Sequence, residues 1–374
     1  MGKRTGCPTS GGRLEKTADI RHNRPMTRPA PLESRLHTRQ PISLAPMIDK
    51  TDRDWRWVMR RITRRSLLYT EMITAPAVLR GDRDRLLAFD PSEKPVVLQL
   101  GWDEPGDLAE ACRIAGDYGY DEINLNCGCP SDKVQRHDFG ACLMARPDHV
   151  ARLVEAMAAA TDLPVTVKNR IGIRSRKTGV SMESYEDLES FTRIVAGAGC
   201  RKFIVHARIA VLEGLSPREN RDVPPLRPED IFRLKRNLPD LFIEINGGYA
   251  CPETVDRALE FVDAVMMGRI ALDDPWMLAA ADARWFGDPS PPPTRRDVLE
   301  EAVPYLSRRA EEGASRGQLI QPLMGLFAGR RGAKGWKRAL TALPAAGPEG
   351  FAAALRSAVE AMDSEILDEK IHLR

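Results

Sequence analysis

No run of about 18 uncharged apolar residues occurs in the 374-residue chain, so no membrane-spanning helix is expected. The first residues also lack the short apolar stretch of a secretory signal and carry charges instead, which points to the cytoplasm. Charge of one sign is equally scarce: the formal net charge is +3, and it is unevenly placed. Residues 1–40 hold nine Lys and Arg against three Asp and Glu, leaving residues 41–374 at −3. The total therefore says little about partners and the distribution says more. The seven cysteines (Cys7, Cys112, Cys127, Cys129, Cys142, Cys200, Cys251) are an odd count without the framework of a small disulfide scaffold, so free thiols are expected. The paired spacings of structural zinc are missing too. Cys127, Cys129 and Cys142 give only C-x-C and a distant third cysteine with no His pair, and no metal is expected.

What is present is length and rhythm. A chain of 374 residues, 43% of them hydrophobic, can fill one barrel of about 250 residues and a smaller second unit. Residues 1–40 are basic, rich in Pro, Gly, Ser and Thr and without apolar periodicity, and read as a disordered extension. Contact with RNA phosphates, a solvated tail, and true initiation at Met26 all remain open for it. From residue 41, β-rich runs alternate with helix-length amphipathic segments: PISLAPM (41–47), LLYTEM (67–72), PVVLQLG (95–101), EINLNCG (122–128), PVTVKNRIG (164–172), KFIVHAR (202–208), LFIEINGG (241–248) and AVMMGR (264–269). Eight such runs predict an α/β fold, a (β/α)8 TIM barrel over 41–285; an open doubly wound sheet commonly has fewer strands and asks for an early Gly-rich dinucleotide turn. The string FGDPSPPPT (286–294) reads as a Pro-rich linker, and 295–374 reads as a C-terminal all-helical domain.

In such a barrel the active site lies at the C-terminal ends of the strands. Those ends supply Met47, Glu71, Gln99, Asn124, Asn126, Lys168, Arg170, His206, Arg208, Asn246 with Gly247 and Gly248, and Gly268 with Arg269. Singly, each also has a structural reading, Lys168 as an ion-pair partner and His206 as a strand-end hydrogen bonder. The turns after strands seven and eight are more specific, because those loops often bind phosphate in this fold. Glycines let backbone N–H groups approach the oxygens, and Arg269 adds a charge-assisted bond. Gln99, Lys168 and His206 would then face whatever the phosphate carries, a flavin ring or a sugar. Cys129, just past strand four with Pro130 after it, stands on a loop at the active-site face.

Two basic segments remain. The helix DRDWRWVMRRITRR places Arg53, Arg56, Arg60 and Arg64 on one face, read mainly as a solvated surface. The stretch FAGRRGAKGWKRAL carries Arg330, Arg331, Lys334, Lys337 and Arg338 without an acid, and is either a solvated helix face or a phosphate-binding one.

The strings SLAPMIDKTDR, LYTEM, VLQLG, GYDEINLNCGCPSDKVQ, FGACLM, PVTVKNRIGI, IVHAR, GLSPREN, PPL, INGGY and MGR, in this order from about residue 41 onward, resemble the tRNA-dihydrouridine synthases. The likeness is greatest to subfamily A, which modifies positions 20 and 20a of the D-loop. The resemblance implies that Ala45, Pro46 and Met47 lie against an FMN ring, that Gln99 and Lys168 bond its polar edge, and that His206 completes the wall. It implies that Asn246, Gly247, Gly248, Gly268 and Arg269 hold the ribityl phosphate, with NADPH or NADH as reductant. Cys129 matches the family's proton donor. Asn126, Ser216, Glu219, Lys334 and Lys337 match positions that contact tRNA, the implied partner; no obligate protein partner is evident. Hydride arrival at C6 of uracil places enolate charge on C5, C4 and O4, so the donor above C5 must be protonated, which an ordinary thiol of pKa ~8.5 satisfies. Two departures from the family pattern are the N-terminal extension and a longer basic loop, IRSRKTGVSME, after strand five. Two rival readings are an FMN barrel acting on a free pyrimidine or other small molecule and a catalytically silent RNA-binding barrel.

Overall fold

Eight short runs of β-branched and apolar residues pair side by side, and the last closes on the first. In this computed structural model, which describes residues 40–343 and 348–371, the strands are β1 (Ile42–Leu44), β2 (Leu67–Thr74), β3 (Val96–Gly101), β4 (Glu122–Cys127), β5 (Val165–Arg170), β6 (Lys202–His206), β7 (Phe242–Asn246) and β8 (Ala264–Met267). All pairings are parallel, and β8 meets β1 with Ile42 opposite Val265. Each falls on one of the eight expected runs, β2 running two residues past its own, so the closed barrel is the expected one. The runs holding β5 and β6, 164–172 and 202–208, extend two residues past the ends of their strands. There the chain leaves the barrel, and Ile173–Arg174, Ser181–Met182 and Ala210–Val211 build a separate three-stranded sheet over the mouth. Gly172 allows that departure, since a Cβ on it would lie 2.3 Å from the Met182 carbonyl oxygen.

The strands alternate in an inverted sense. On β4, Ile123, Leu125 and Cys127 pack outward into the large core under the helices, while Glu122, Asn124 and Asn126 share the interior with the small cluster Ala45, Leu67, Tyr69, Val97, Ile204 and Met266. At the N-terminal end of the barrel, Lys202 Nζ lies 3.1 Å from Glu122 Oε2 and 3.8 Å from Glu244 Oε2.

The first helix, Arg53–Ile62, is capped by Asp52, whose side chain accepts from the Trp55 amide. Its arginines are not a solvated face, which corrects the expectation for Arg56 and Arg60. Arg56 Nε donates to Glu93 Oε2 at 2.8 Å, and Arg60 donates to the carbonyls of Thr63, Ser66, Glu93 and Pro95. Both are buried, because the three-and-four spacing that gathers them faces the chain entering β2 and β3, where carbonyls await donors.

Beyond the helix Ala281–Phe286, closed by Gly287 at φ 62, the chain is irregular to Thr294. The segments Arg295–Glu311, Arg316–Ile320, Ala333–Thr341, Pro348–Glu360 and Ser364–Leu367 are then helical. Arg295–Glu311 begins with a capping box between Thr294 and Asp297 and docks on the first helix. Tyr305 stacks on Trp57 with ring centroids 3.9 Å apart and donates to Asp54 Oδ1 at 2.8 Å. Among the described residues no helix is long and apolar enough to cross a membrane.

Candidate active site

The inward side chains at the C-terminal end of the barrel are polar, and they converge. Lys168 on β5 reaches across to Asn246 on β7, with Nζ 3.0 Å from Oδ1, while Asn246 Nδ2 donates to the Met266 carbonyl at 2.8 Å. That second bond fixes the amide so that its oxygen meets the lysine. Burial first, then the neighbouring Arg170, pushes the Lys168 ammonium down to about 7. Burial also pushes His206 well below its ordinary value, with Arg170, Lys168, Arg208 and Arg221 adding repulsion. His206 is therefore a neutral imidazole at neutral pH, and its Nδ1 is buried with no hydrogen-bond partner among the described residues.

The turn after β4 is held from below. Asn126 Oδ1 accepts from the amides of Gly128 at 3.1 Å and Cys129 at 3.0 Å, and Asn126 Nδ2 donates to Gln99 Oε1 at 2.9 Å. Arg170 braces the same turn from the side, donating to the Gly128 carbonyl at 2.9 Å. Gly140, at φ 65, lets the following segment close over it: Ala141 N donates to the Cys129 carbonyl at 2.9 Å, and a Cβ on Gly140 would lie 2.6 Å from that oxygen. Cys129 is half-buried at the mouth, with Sγ 3.5 Å from Ser131 Oγ, whereas Cys127 is fully buried and burial pushes its thiol well above the ordinary range.

After β7, Gly247 and Gly248 have φ of 114° and 88°, a conformation side chains rarely adopt. A Cβ on Gly247 would lie 3.3 Å from His206 Nε2, and one on Gly248 2.7 Å from Leu226 Cδ1, so the bare backbone of this turn is required at the wall. Gly268 follows β8 at Ala45, with Arg269 exposed beside it and paired with Asp222 at 2.7 Å. An orphan ring nitrogen, a lysine and a glycine turn flanked by an arginine fit a ligand with a hydrogen-bonding edge and a phosphate.

The sequence-derived set therefore gathers at one mouth, with Ala45, Pro46 and Met47 leaving β1 beside Gly268. Two members differ from simple expectation. Gln99 is 1% exposed, with its amide committed to Asn124 and Asn126. Asn126, expected to touch RNA, has its oxygen engaged by two backbone amides and one N–H by Gln99. Ser216 and Glu219 are exposed on the rim but bond each other, Ser216 Oγ to Glu219 Oε2 at 2.7 Å. Lys334 and Lys337 are exposed on the helix Ala333–Thr341, away from these strands in sequence, whereas their neighbours Arg330 and Arg331 pair with Glu369 and Asp363. Sequence reasoning placed Arg170 at a strand end but gave it no role, and it passed over Asn220, whose carbonyl accepts from Arg170 Nη1 at 3.0 Å. Among the described residues no group of His, Cys, Asp and Glu is arranged to hold a metal.

Fold and site together define a (β/α)8-barrel enzyme whose mouth joins a glycine-turn rim to a polar wall and a half-buried thiol. The chain belongs to the dihydrouridine synthase (Dus) family, whose pattern matches residues 43–363. It is 52% identical to the tRNA-dihydrouridine(20/20a) synthase of Synechocystis sp. over 320 residues, covering 85% of this chain and 94% of that protein. It is 46% identical to the proteins of the same name from Pseudomonas aeruginosa, over 84% of this chain and 93% of that one, and Vibrio vulnificus, over 79% and 89%.

Proposed function

We propose that this chain reduces uridine to 5,6-dihydrouridine in the D-loop of tRNA, at positions 20 and 20a, with FMN as its bound cofactor and NADPH as the electron source. The relatives named for that reaction support the reading. The observation that carries it is the Cys129 turn, braced by Asn126 and Arg170 at the same barrel mouth as Lys168, His206 and the Gly247–Gly248 turn. Bound against that wall, FMN would take a hydride from NADPH and deliver one to C6 of the uracil.

The residues have separate tasks. Gly247, Gly248, Gly268 and Arg269 would hold the phosphate, and Lys168 and His206 the polar edge of the ring. Cys129 would give its Sγ proton to C5 as enolate charge develops there, and regain one from solvent at the open mouth. The uracil must leave its stack to arrive, so the RNA body has to be gripped elsewhere. The helices of 295–371, with exposed Lys334 and Lys337, form the tRNA-binding unit in this reading.

Visible flavin absorbance of the purified protein, followed by mapping of dihydrouridine in tRNA from a deletion strain, tests the proposal. Loss of the modification at 20 and 20a is expected. A colourless protein without FMN affinity, or unchanged tRNA, would sink it, and turnover of free uracil instead would favour a small-molecule enzyme.

A further inference from the structure

Inside the barrel a single file of hydrogen bonds joins the buried Lys202–Glu122 pair to the Cys129 turn. Glu122 Oε2 takes the Lys202 ammonium at 3.1 Å, and Oε1 accepts from Thr166 Oγ1 at 2.7 Å. Thr166 Oγ1 in turn accepts from Asn124 Nδ2 at 2.9 Å, and Asn124 Oδ1 from Gln99 Nε2 at 2.8 Å. Gln99 Oε1 accepts from Asn126 Nδ2 at 2.9 Å, and Asn126 Oδ1 from Cys129 N at 3.0 Å. Gln99, Asn124 and Thr166 sit opposite one another on β3, β4 and β5, so the barrel register itself sets the spacing.

Both ends of this file are fixed in polarity. A carboxylate facing an ammonium can only accept, and a backbone N–H can only donate. Every amide between them therefore has one permitted orientation, and turning any one over would put donor against donor and acceptor against acceptor at two junctions. Glu122, Asn124 and Thr166 are fully buried and Gln99 nearly so, so each broken junction would leave polar atoms without water to replace the partner. Apolar side chains such as Val97, Ile204 and Met266 share this interior, so polar residues are not its only possible filling.

We propose that Thr166 and Asn124, which lie below the mouth, are positioning residues: through Gln99 and Asn126 they lock the height and orientation of the turn that carries Cys129. Their role in catalysis rests on the proposed reaction, while their hold on the turn does not. Thr166→Val removes the hydroxyl at nearly constant volume and leaves Asn124 Nδ2 without its acceptor and Glu122 Oε1 without its donor, whereas Thr166→Ser keeps both bonds. Asn124→Leu cuts the file one link nearer the turn.

The variants are compared with wild type as flavin-loaded full-length proteins, by two readouts. In single-turnover reduction of unmodified tRNA, Thr166→Val and Asn124→Leu are expected to slow product formation about tenfold to a hundredfold at unchanged tRNA affinity, because misplacing the reacting group costs rate more than binding. In the second, alkylation of Cys129 by iodoacetamide, followed on its peptide by mass spectrometry, is expected to speed up about fivefold as the turn loosens. Thr166→Ser should restore both. Wild-type rates in both readouts for whichever cut variant folds, or a Thr166→Ser as impaired as Thr166→Val, would overturn the proposal. If the wild-type chain makes no dihydrouridine, the functional reading fails, and the alkylation arm still decides whether the file holds the turn.

Discussion

Lys168 and Asn246 meet across the barrel mouth at 3.0 Å, and the amide of Asn246 is anchored so that only its oxygen can face the ammonium. The contact does not offset the burial of the charge, which brings the lysine down to about 7 from 10.5. Below pH 7 both folded and unfolded chains hold the proton, and the folded one bears the full desolvation cost. Between about 7 and 10.5 the unfolded chain keeps a proton the folded chain has shed, so stability attributable to Lys168 rises with pH. Urea unfolding of flavin-free protein should find Lys168→Met more stable than wild type at about pH 6.5, with the gap narrowing by about pH 9.5. A gap independent of pH would show that the lysine keeps its ordinary protonation.

Arg269 follows Gly268 after β8 and is exposed and engaged with Asp222 at 2.7 Å. A charge-assisted bond to a phosphate is worth about 1.5–3 kcal/mol. Arg269→Ala should therefore weaken FMN retention about tenfold to a hundredfold, while Asp222→Ala, which releases the guanidinium, should not weaken it. Titration of flavin-free protein with FMN and with riboflavin checks the assignment, since only FMN affinity should fall in Arg269→Ala.

Much of this architecture was legible in the sequence because barrel strands are short, apolar and bounded by Gly or Pro. The alternation within them was legible as a period but not as a direction. In EINLNC the polar residues look like the solvent face of a sheet, yet Glu122, Asn124 and Asn126 point into the barrel and the apolar set meets the helices. Only closure, a property of all eight strands, reverses the sense. Arg56 and Arg60 were misread for a related reason: the Glu93 carboxylate and the carbonyls of Glu93 and Pro95 that receive them lie more than thirty positions away. The site residues were recoverable as types at strand ends, whereas the bracing of the Cys129 turn by Asn126 depends on contacts no spacing encodes.

A buried carboxylate helps to fasten the C-terminal helices to the barrel. Asp54 is 1% exposed and receives both Tyr305 at 2.8 Å and Arg309 at 2.7 Å, under the Trp57–Tyr305 stack. Asp54→Ala strands a hydroxyl and a guanidinium at that seam and should cost about 3 kcal/mol. Limited proteolysis should then cleave first between 287 and 294 while flavin absorbance persists. Loss of flavin in step with cleavage would mean that barrel and helices unfold as one.

Lys334 and Lys337 stand exposed one turn apart on Ala333–Thr341, whose Trp336 is buried and donates to the Leu323 carbonyl at 2.8 Å. Reversing both to Glu leaves that anchor intact. Weaker tRNA binding is expected, with a shallower dependence on salt, because each phosphate contact releases counterions. Flavin reduction by NADPH should be unaffected, and equal tRNA affinity at several salt concentrations would remove the helices from the RNA interface.

Cys127 ends β4 and Cys129 stands two residues on, in the turn, and they offer a controlled pair. Cys129 is half-buried at the mouth beside Ser131, while Cys127 faces the outer core with no exposure. Oxidation of NADPH requires only the flavin and the hydride donor, so Cys129→Ala should leave that half of the reaction near normal. Uracil reduction needs a proton at C5, and loss of a general acid costs about 10² to 10⁴ in rate. Single-turnover reduction of unmodified tRNA by prereduced enzyme should therefore be slowed by that factor in Cys129→Ala. Cys127→Ala removes a buried sulfur from the core and should lower stability with little effect on the rate of the folded enzyme. Equal losses in the two variants would assign the defect to packing of the turn, and normal dihydrouridine formation by Cys129→Ala would require another proton donor at the mouth.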